Sequence, residues 1–433
     1  MLKTLKKKQI INIILIVVVL AICIKNALEN GDFKVFLEAS KILKFGGNPY
    51  NNWIHVNGDN YCLYLYSPLW AVILIPFSYL PNFIPNILWL FANVFFLYRT
   101  WNLLKSYIDL EGLTSKQLNL ILFLTTLMSL RFILYNFGMI QMTLFLLWSI
   151  LESIHLFKEN KILLGGLLLA LAINIKILPI VIIPYLIYRS NFKAFFSVFL
   201  FSLLFLLLPA LYLGWTKNVF LLSEWWSVIN PSNHEHLIES ELGPHSLTAL
   251  IPSLLTDTEG KIDISRNIVS LSKDTAIFIL NFVRIFLVLF TIYFLKLPPF
   301  KKIELKLFQL QELAYIILLI PLIFPHMQKY AFALTIPSLF YLSHFIVVNF
   351  RYRKETMKGI RWYSILVLMG WSFAFMTLST DGIIGRHLNE ITQHFKTITW
   401  GALLLIIALI LASPQITMKI NQLQLTSNKR HRS

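Results

Sequence analysis

The chain has 433 residues, of which 57% are hydrophobic and 14% are charged, and its formal net charge is +17. Soluble domains average about 25% charged and about 45–50% apolar residues. A mean hydropathy of +0.68 over this length exceeds what one soluble core can bury. The composition therefore excludes a soluble enzyme, a disordered chain and a secreted disulfide scaffold. It predicts an all-α polytopic membrane protein.

Long apolar runs predict about twelve membrane-spanning helices, because a helix needs about 20 apolar residues to cross the hydrocarbon. The basic N-terminus and the apolar run after it lack a small-residue cleavage site, so we interpret this run as a retained first helix. The neighbouring runs 162–175 and 177–188 could also be one long helix bent at Pro179. The shorter run 67–80 is predicted to lie along the membrane. The predicted spans are 10–26, 83–104, 117–135, 138–157, 162–175, 177–188, 194–213, 276–296, 307–325, 329–349, 361–380 and 396–413.

The basic residues indicate sidedness, because Lys and Arg collect in short cytoplasmic loops. They lie in short clusters between apolar runs, a distribution that orients helices and predicts no nucleic-acid partner. Most of the 38 basic residues fall on the side of the N-terminus. Both termini are thus predicted to be cytoplasmic, with one integral membrane domain over 1–413 and a basic tail over 414–433. The outer face then holds the first outer loop, 27–82, and the large outer loop, 214–275.

Motifs of nucleotide and metal chemistry are missing from the sequence. It has no GxxxxGK[ST] loop, no strand followed by GxGxxG, and no HExxH or CxxC spacing. The Asp257 and Glu259 pair is interpreted as two solvated loop carboxylates. Cys23 and Cys62 imply no disulfide framework. No nucleotide cofactor and no metal is predicted.

Asp32 is the first candidate for chemistry, because it follows the first helix closely and should lie near the level of the lipid headgroups. Partial burial there raises the pKa of a carboxyl group toward values useful for proton transfer. The alternative is an Asp that caps the next helix. Asp59, in an Asn-Gly-Asp-Asn turn of the same loop, is the rival base.

Several short motifs follow in order along the chain. An outer-loop Asp, then Gly46-Gly-Asn-Pro-Tyr50, then Tyr64-Leu-Tyr66-Ser-Pro precede the short apolar run. Further on come Gly138-Met-Ile-Gln141, Lys176-Ile-Leu-Pro179 with a later Pro-Tyr-Leu-Ile-Tyr-Arg, His245-Ser-Leu, and Pro325-His326-Met-Gln-Lys329. Their order over about residues 30–345 resembles glycosyltransferase family 87. The glutamine of that family's Gly-Gln step is displaced here to Gln141.

The resemblance implies a GT-C type membrane fold with outer-face juxtamembrane helices and a transferase that uses a polyprenyl-phosphate sugar. Such an enzyme moves a hexose, by analogy mannose, to a lipid or glycan acceptor on the outer face of the cytoplasmic membrane, with inversion. Asp32 would be the general base. The donor phosphate and substrate would be bound by Arg131, Gln141, Lys176, His245, His326, Lys329, Tyr50 and Tyr66.

Each of these assignments has a simpler alternative. Lys176 could extend its ammonium group toward the membrane surface, and His326 could cap a helix. His245 could be an ordinary loop residue, and Arg131 could anchor its helix. For the whole chain, a transporter or flippase of lipid-linked sugars is the alternative from another class, although we find no internal repeat. A glycan polymerase or ligase would have a similar composition.

Overall fold

The computed structural model describes residues 2–29, 31–51, 53–55, 61–230, 238, 241–295, 299–303, 305–350 and 360–415. The rival base Asp59 and most of the predicted basic tail lie outside these residues. Nineteen α-helices form in the described part. The first ten are α1 (Leu2–Glu29), α2 (Phe33–Lys44), α3 (Pro68–Leu74), α4 (Phe83–Lys105), α5 (Ser115–Gly138), α6 (Thr143–Lys158), α7 (Ile162–Ile175), α8 (Ile182–Tyr188), α9 (Phe192–Leu207) and α10 (Ala210–Leu213).

The later helices follow the large loop. They are α11 (Trp215–Ile229), α12 (Leu247–Leu255), α13 (Lys273–Phe294), α14 (Lys306–Ile323), α15 (Ile336–Asn349), α16 (Ile360–Phe373), α17 (Asp381–Ile384), α18 (Arg386–His394) and α19 (Thr397–Leu411). Short 3-10 helices lie at Pro49–Asn51, Ile75–Tyr79, Leu178–Val181 and Lys329–Thr335.

The extended structure within the described residues is a single antiparallel pair of short strands. Strand β1 (Ile54–His55) pairs with β2 (Tyr61–Cys62), and Ile54 lies opposite Cys62. The predicted all-α class is therefore confirmed.

Seven helices in the described part are long and apolar enough to cross a membrane, or up to nine if each of two bent helix pairs is one span. The seven coincide with predicted spans, and the bent pairs overlap the predicted spans 10–26 and 396–413. The other three predicted spans form helices that are too short: α6, α7 and α8. The multi-pass membrane class is confirmed, whereas the number of twelve spans is not. The chain breaks near Pro179 with a 3-10 turn, and the run 67–80 forms a short helix followed by another 3-10 turn.

The described chain divides into two compact units. Unit 1 comprises Met1–Thr100, Leu134–Pro179 and Phe196–Asn230, and unit 2 comprises the remaining residues. The single domain predicted over 1–413 stays a prediction.

In unit 1, the amphipathic helix α2 packs against α3, and α3 also contacts α7 and α11. Helix α6 packs along α7. Gly166 allows α7 to approach α9, because a Cβ there would come within 2.0 Å of the Ser197 hydroxyl. Between α4 and α6, Arg99 donates two hydrogen bonds of 2.7 and 2.8 Å to the Glu152 carboxylate. This bidentate pair satisfies two charges that would be costly inside a membrane unless paired.

In unit 2, α14 packs against α13, α15 and α19, and α16 packs against α19. Glu312 of α14 accepts hydrogen bonds from Arg189 (Nε, 3.1 Å) and from the Tyr185 hydroxyl (3.0 Å). All three side chains are almost fully buried. The hydrogen bond from Tyr185 thus helps to offset the cost of burying the Arg189–Glu312 ion pair.

Candidate active site

Asp32 lies in the connection between α1 and α2, where the backbone docks onto the turn after α5. Its main-chain N–H donates to the Met139 carbonyl oxygen over 2.9 Å. Gly31 makes this approach possible, because a Cβ there would come within 2.6 Å of the Met139 carbonyl group. Asp32 occupies the N-cap position of α2, but its side chain makes no capping hydrogen bond. The carboxylate is therefore directed to other partners.

The turn after α5 is built to present Gln141. The N–H of Gln141 donates to the Asn136 carbonyl oxygen (2.9 Å), and the N–H of Ile140 donates to the Phe137 carbonyl oxygen (3.3 Å). This is the Schellman pattern of helix termination. Ile140 has a φ of 50°, a left-handed conformation that is costly for a β-branched side chain. The surrounding structure therefore holds Ile140 in this unfavourable backbone conformation.

Two α4 side chains hold the main chain of Gln141. Its carbonyl oxygen accepts a hydrogen bond of 3.2 Å from the Trp89 indole and another of 3.2 Å from the Asn93 amide. The predicted span at 138–157 is shortened at its start, because residues 139–142 form this turn and α6 begins only at Thr143.

The side chain of Gln141 contacts Asp32 directly. Its Nε2 donates to Asp32 Oδ2 over 2.5 Å, and the residue is 2% exposed. Its Oε1 is buried and has no hydrogen-bond partner among the described residues. A buried amide oxygen without a partner is costly, so it suits a ligand hydroxyl group that could donate to it.

Lys176 is the cation of the same cluster. Helix α7 ends at Ile175, and Lys176 has an extended backbone. Its ammonium group donates to the Tyr66 hydroxyl over 3.4 Å and lies 5.2 Å from the centre of that ring. The half-buried ammonium therefore contacts protein groups beside Asp32.

Burial and mutual attraction shift the pKa values of the two charged groups. Burial raises the pKa of Asp32, while the hydrogen bond from Gln141 and the nearby Lys176 charge oppose the shift. Burial lowers the pKa of Lys176 to about 8, and the Asp32 charge opposes that shift. The proton affinities of the two groups thus approach each other, which suits proton transfer near neutral pH.

Tyr66 and Tyr50 form one wall of this cluster. Tyr66 packs edge-on against Phe36 of α2, with ring centroids 4.4 Å apart, and burial raises its pKa so that the phenol stays protonated. The Tyr50 hydroxyl donates to the Tyr66 carbonyl oxygen over 2.8 Å. Tyr50 therefore supports the main chain of Tyr66.

Four predicted phosphate-binding residues lie in unit 2. His245 is fully buried, and neither ring nitrogen has a hydrogen-bond partner in the described part of the chain. Its backbone is held by an N–H bond to the Met327 carbonyl (2.8 Å). Burial, and then the charges of Lys396, Lys329 and Arg131, hold the pKa of His245 well below its usual range. A neutral imidazole is thus surrounded by positive charge.

Arg131 and His326 also have defined settings in unit 2. Arg131 donates to the Met376 carbonyl (2.9 Å), the Ser379 hydroxyl (2.8 Å) and the Asn389 amide oxygen (3.2 Å). These bonds favour the anchoring interpretation of Arg131. His326 has a φ of 56° in the turn before the Lys329 helix. The phosphate-binding roles stay predictions.

Lys396 is the member of this region that sequence reasoning missed. It is fully buried in a left-handed conformation, with a φ of 54°. Its ammonium group donates to the carbonyl oxygens of Glu241 and of Pro244, the latter over 2.9 Å. Lys396 opens the last predicted span and Lys176 directly follows the predicted span 162–175, so a position at a span boundary is the sequence feature that the two lysines share.

Comparison with known proteins gives one result. The model of glycosyltransferase family 87 matches residues 64–259. No curated protein and no solved structure matches the chain. The matched stretch contains Tyr66, Arg131, Gln141, Lys176 and His245. The predicted family resemblance is therefore confirmed.

Proposed function

We propose that the chain, which matches the model of glycosyltransferase family 87 over residues 64–259, is a membrane glycosyltransferase that transfers a hexose from a polyprenyl-phosphate donor to an acceptor hydroxyl. The hexose proposed first is mannose. The reaction takes place on the outer face of the cytoplasmic membrane, both chain termini are cytoplasmic, and the fold is of GT-C type.

The observation that carries the proposal is the contact of Asp32 with Gln141 beside Lys176. A general base needs a carboxylate with a raised pKa that is held in one orientation. The 2.5 Å hydrogen bond from Gln141 supplies the orientation, and burial raises the pKa. The Oε1 of Gln141 has no hydrogen-bond partner among the residues that the structure describes, which supports a neighbouring position for a substrate hydroxyl.

The proposed step is a single displacement at the anomeric carbon. The acceptor oxygen forms a bond to that carbon while its proton passes to an Asp32 carboxylate oxygen. The bond between the anomeric carbon and the phosphate oxygen breaks, and the phosphate leaves with the electron pair. Attack opposite the leaving group inverts the configuration.

The leaving phosphate gains negative charge, which needs a compensating donor. Lys176 and the protonated Tyr66 hydroxyl, 3.4 Å apart, are proposed for this role. Within unit 2, the positive charge of Arg131, Lys329 and Lys396 near His245 is a separate candidate for binding an anion, and His326 is proposed to contribute to it. The proposal includes neither a nucleotide cofactor nor a metal.

The test is transfer by the purified protein. It is incubated with polyprenyl-phosphate-[³H]mannose, a membrane lipid extract and soluble oligosaccharides, and the labelled product is identified. We expect label to move to one acceptor with the wild type and to stay on the donor with Asp32→Asn. Equal transfer by both proteins would exclude Asp32 as the base. Absence of transfer from every polyprenyl-linked hexose tried would refute the donor class.

A further inference from the structure

An open groove of about 500 Å³ lies between α2 and strand β1 in unit 1. On α2 its lining residues are spaced four apart, which places them on one stripe of the helix. On the other side it is lined by the segment at the start of the hairpin. This cavity is here called the Trp53 groove, and it is lined by Lys34, Glu38, Ile42, Trp53, Ile54 and His55.

The groove combines an aromatic plate with polar side chains. Trp53 is 66% exposed, whereas the neighbouring Ile54 is buried and holds the strand in place. Glu38 is fixed on the helix by a 2.8 Å ion pair with Lys41. An indole has an apolar face, and carboxylate, ammonium and imidazole groups are hydrogen-bonding partners for hydroxyl groups. A sugar ring needs both, because its C–H face is apolar and its rim carries hydroxyl groups.

The groove and Asp32 lie on different sides of the same helix. At 3.6 residues per turn, Lys34 is about 200° around the axis from Asp32. The face that follows Asp32 is buried through Phe36, Ala39 and Leu43. A sugar in the groove is therefore not the sugar whose hydroxyl reacts at Asp32.

We propose that the Trp53 groove binds a non-reacting sugar unit of the acceptor, and hence that the acceptor is an oligosaccharide. The inference rests on the proposed transferase function, because it names the acceptor class for that reaction. Binding energy from a remote unit of a substrate is a common source of specificity.

A lipid surface is the other partner that an exposed tryptophan could contact. The lining of the groove favours a carbohydrate, because three ionisable side chains share it with Trp53. The outward face of α13 gives the contrast: Phe278, Phe282 and Ile285 are 71%, 63% and 58% exposed. That face presents a run of apolar side chains, as contact with lipid requires.

Binding is tested without any transfer reaction. Mannotriose, chitotriose and maltotriose are titrated into the detergent-solubilised protein and followed by saturation-transfer difference NMR. We expect one of these sugars to bind to the wild type. Its affinity for Trp53→Ala should be about tenfold lower, and its affinity for Trp53→Phe should be intermediate, because phenylalanine keeps an aromatic plate. Trp226→Ala is the matched control, since Trp226 is also exposed, at 56%.

Three outcomes would overturn the inference. They are absence of binding to the wild type at millimolar concentration, equal binding by Trp53→Ala, and an equal loss in Trp226→Ala. A Trp53→Ala protein that binds sugar normally but incorporates poorly into liposomes would assign Trp53 to the lipid interface.

A kinetic experiment separates this inference from the proposed function. With a trisaccharide acceptor, Trp53→Ala should raise KM about tenfold and leave kcat unchanged. With a monosaccharide acceptor, KM should not change, because the groove stays empty. Sugar binding without any transfer would refute the transferase proposal and leave the groove as a sugar-binding site without an acceptor role. Transfer with an equal KM in Trp53→Ala would refute the groove alone.

Discussion

Gln141 donates a 2.5 Å hydrogen bond to the Asp32 carboxylate across 109 residues of sequence. The bond stabilises the ionised form of a half-buried acid and fixes one of its oxygens. Gln141 lies on the strained turn at Ile140, and the Asp32 N–H docks onto the same turn through the Met139 carbonyl oxygen. Packing at this turn therefore fixes the position of the proposed base relative to the amide that orients it.

Asp32→Asn should lower transfer by ~10²–10⁴-fold, because the amide keeps the size of the side chain but cannot accept the acceptor's proton. Donor binding, measured with labelled polyprenyl-phosphate-mannose, should survive. Glu29→Gln, a nearby exposed carboxylate outside the cluster, serves as the control and should retain activity. Full activity in Asp32→Asn with a loss in Asp59→Asn would move the role to Asp59.

Gln141→Met should shift the acidic limb of the kcat/KM–pH profile upward by about one to two pH units. The change removes a hydrogen bond that favours the charged carboxylate, and such a bond contributes about 1.5–3 kcal/mol. The thermal midpoint of the variant protein should be measured alongside, so that misfolding is recognised. An acidic limb at the wild-type position would mean that Gln141 does not tune the base.

The wild-type profile should be bell-shaped. The base must be deprotonated, and burial raises its pKa, so activity is lost as pH falls through a value higher than the ordinary pKa of an aspartate. Lys176 must be protonated, so activity is also lost as pH rises through about 8. Lys176→Arg should move the alkaline limb upward, because arginine stays charged. An alkaline limb unchanged in that variant would separate Lys176 from the donor phosphate.

Lys396→Met should destabilise unit 2, because it leaves the carbonyl oxygens of Glu241 and Pro244 without this buried donor at a cost of about 1–3 kcal/mol. The measurement is the thermal midpoint, and the exposed Lys193 gives the control variant Lys193→Met. The variant Lys396→Asn introduces a residue that tolerates the left-handed backbone conformation but also lacks the ammonium group. It should therefore also lower the midpoint, and wild-type midpoints in both variants would mean that the ammonium group does not stabilise unit 2.

Lys261→Cys and Lys302→Cys should be labelled from opposite sides of the membrane by an impermeant maleimide. Both positions are exposed, and the positive-inside rule assigns them to the outer and inner loops respectively. The background carries Cys23→Ser and Cys62→Ser, which remove the two native thiols. Labelling of both positions from outside would contradict the predicted topology.

Hydropathy and the order of motifs were sufficient to predict several features of the chain. Apolar runs identified the seven long helices and the short helix at 67–80, because the requirement for about 20 apolar residues per span is a local property. The same runs predicted spans near α6, α7 and α8, which form helices shorter than a membrane crossing requires. There, α6 begins only after the turn at Ile140 and α7 ends before Lys176, and hydropathy does not register a change in backbone conformation.

The polar contacts are a property of the tertiary structure. Asp32 could be singled out from its position after the first helix, but its bond to Gln141 depends on Gly31 packing against the turn at Met139. Lys396 passed unnoticed, because a lysine at the start of an apolar run has the same local sequence whether it reaches water or buried carbonyl groups. Local sequence determines which segments enter the membrane. Which buried polar groups meet is determined only when the helices pack, because each such group must find a partner from a distant part of the chain.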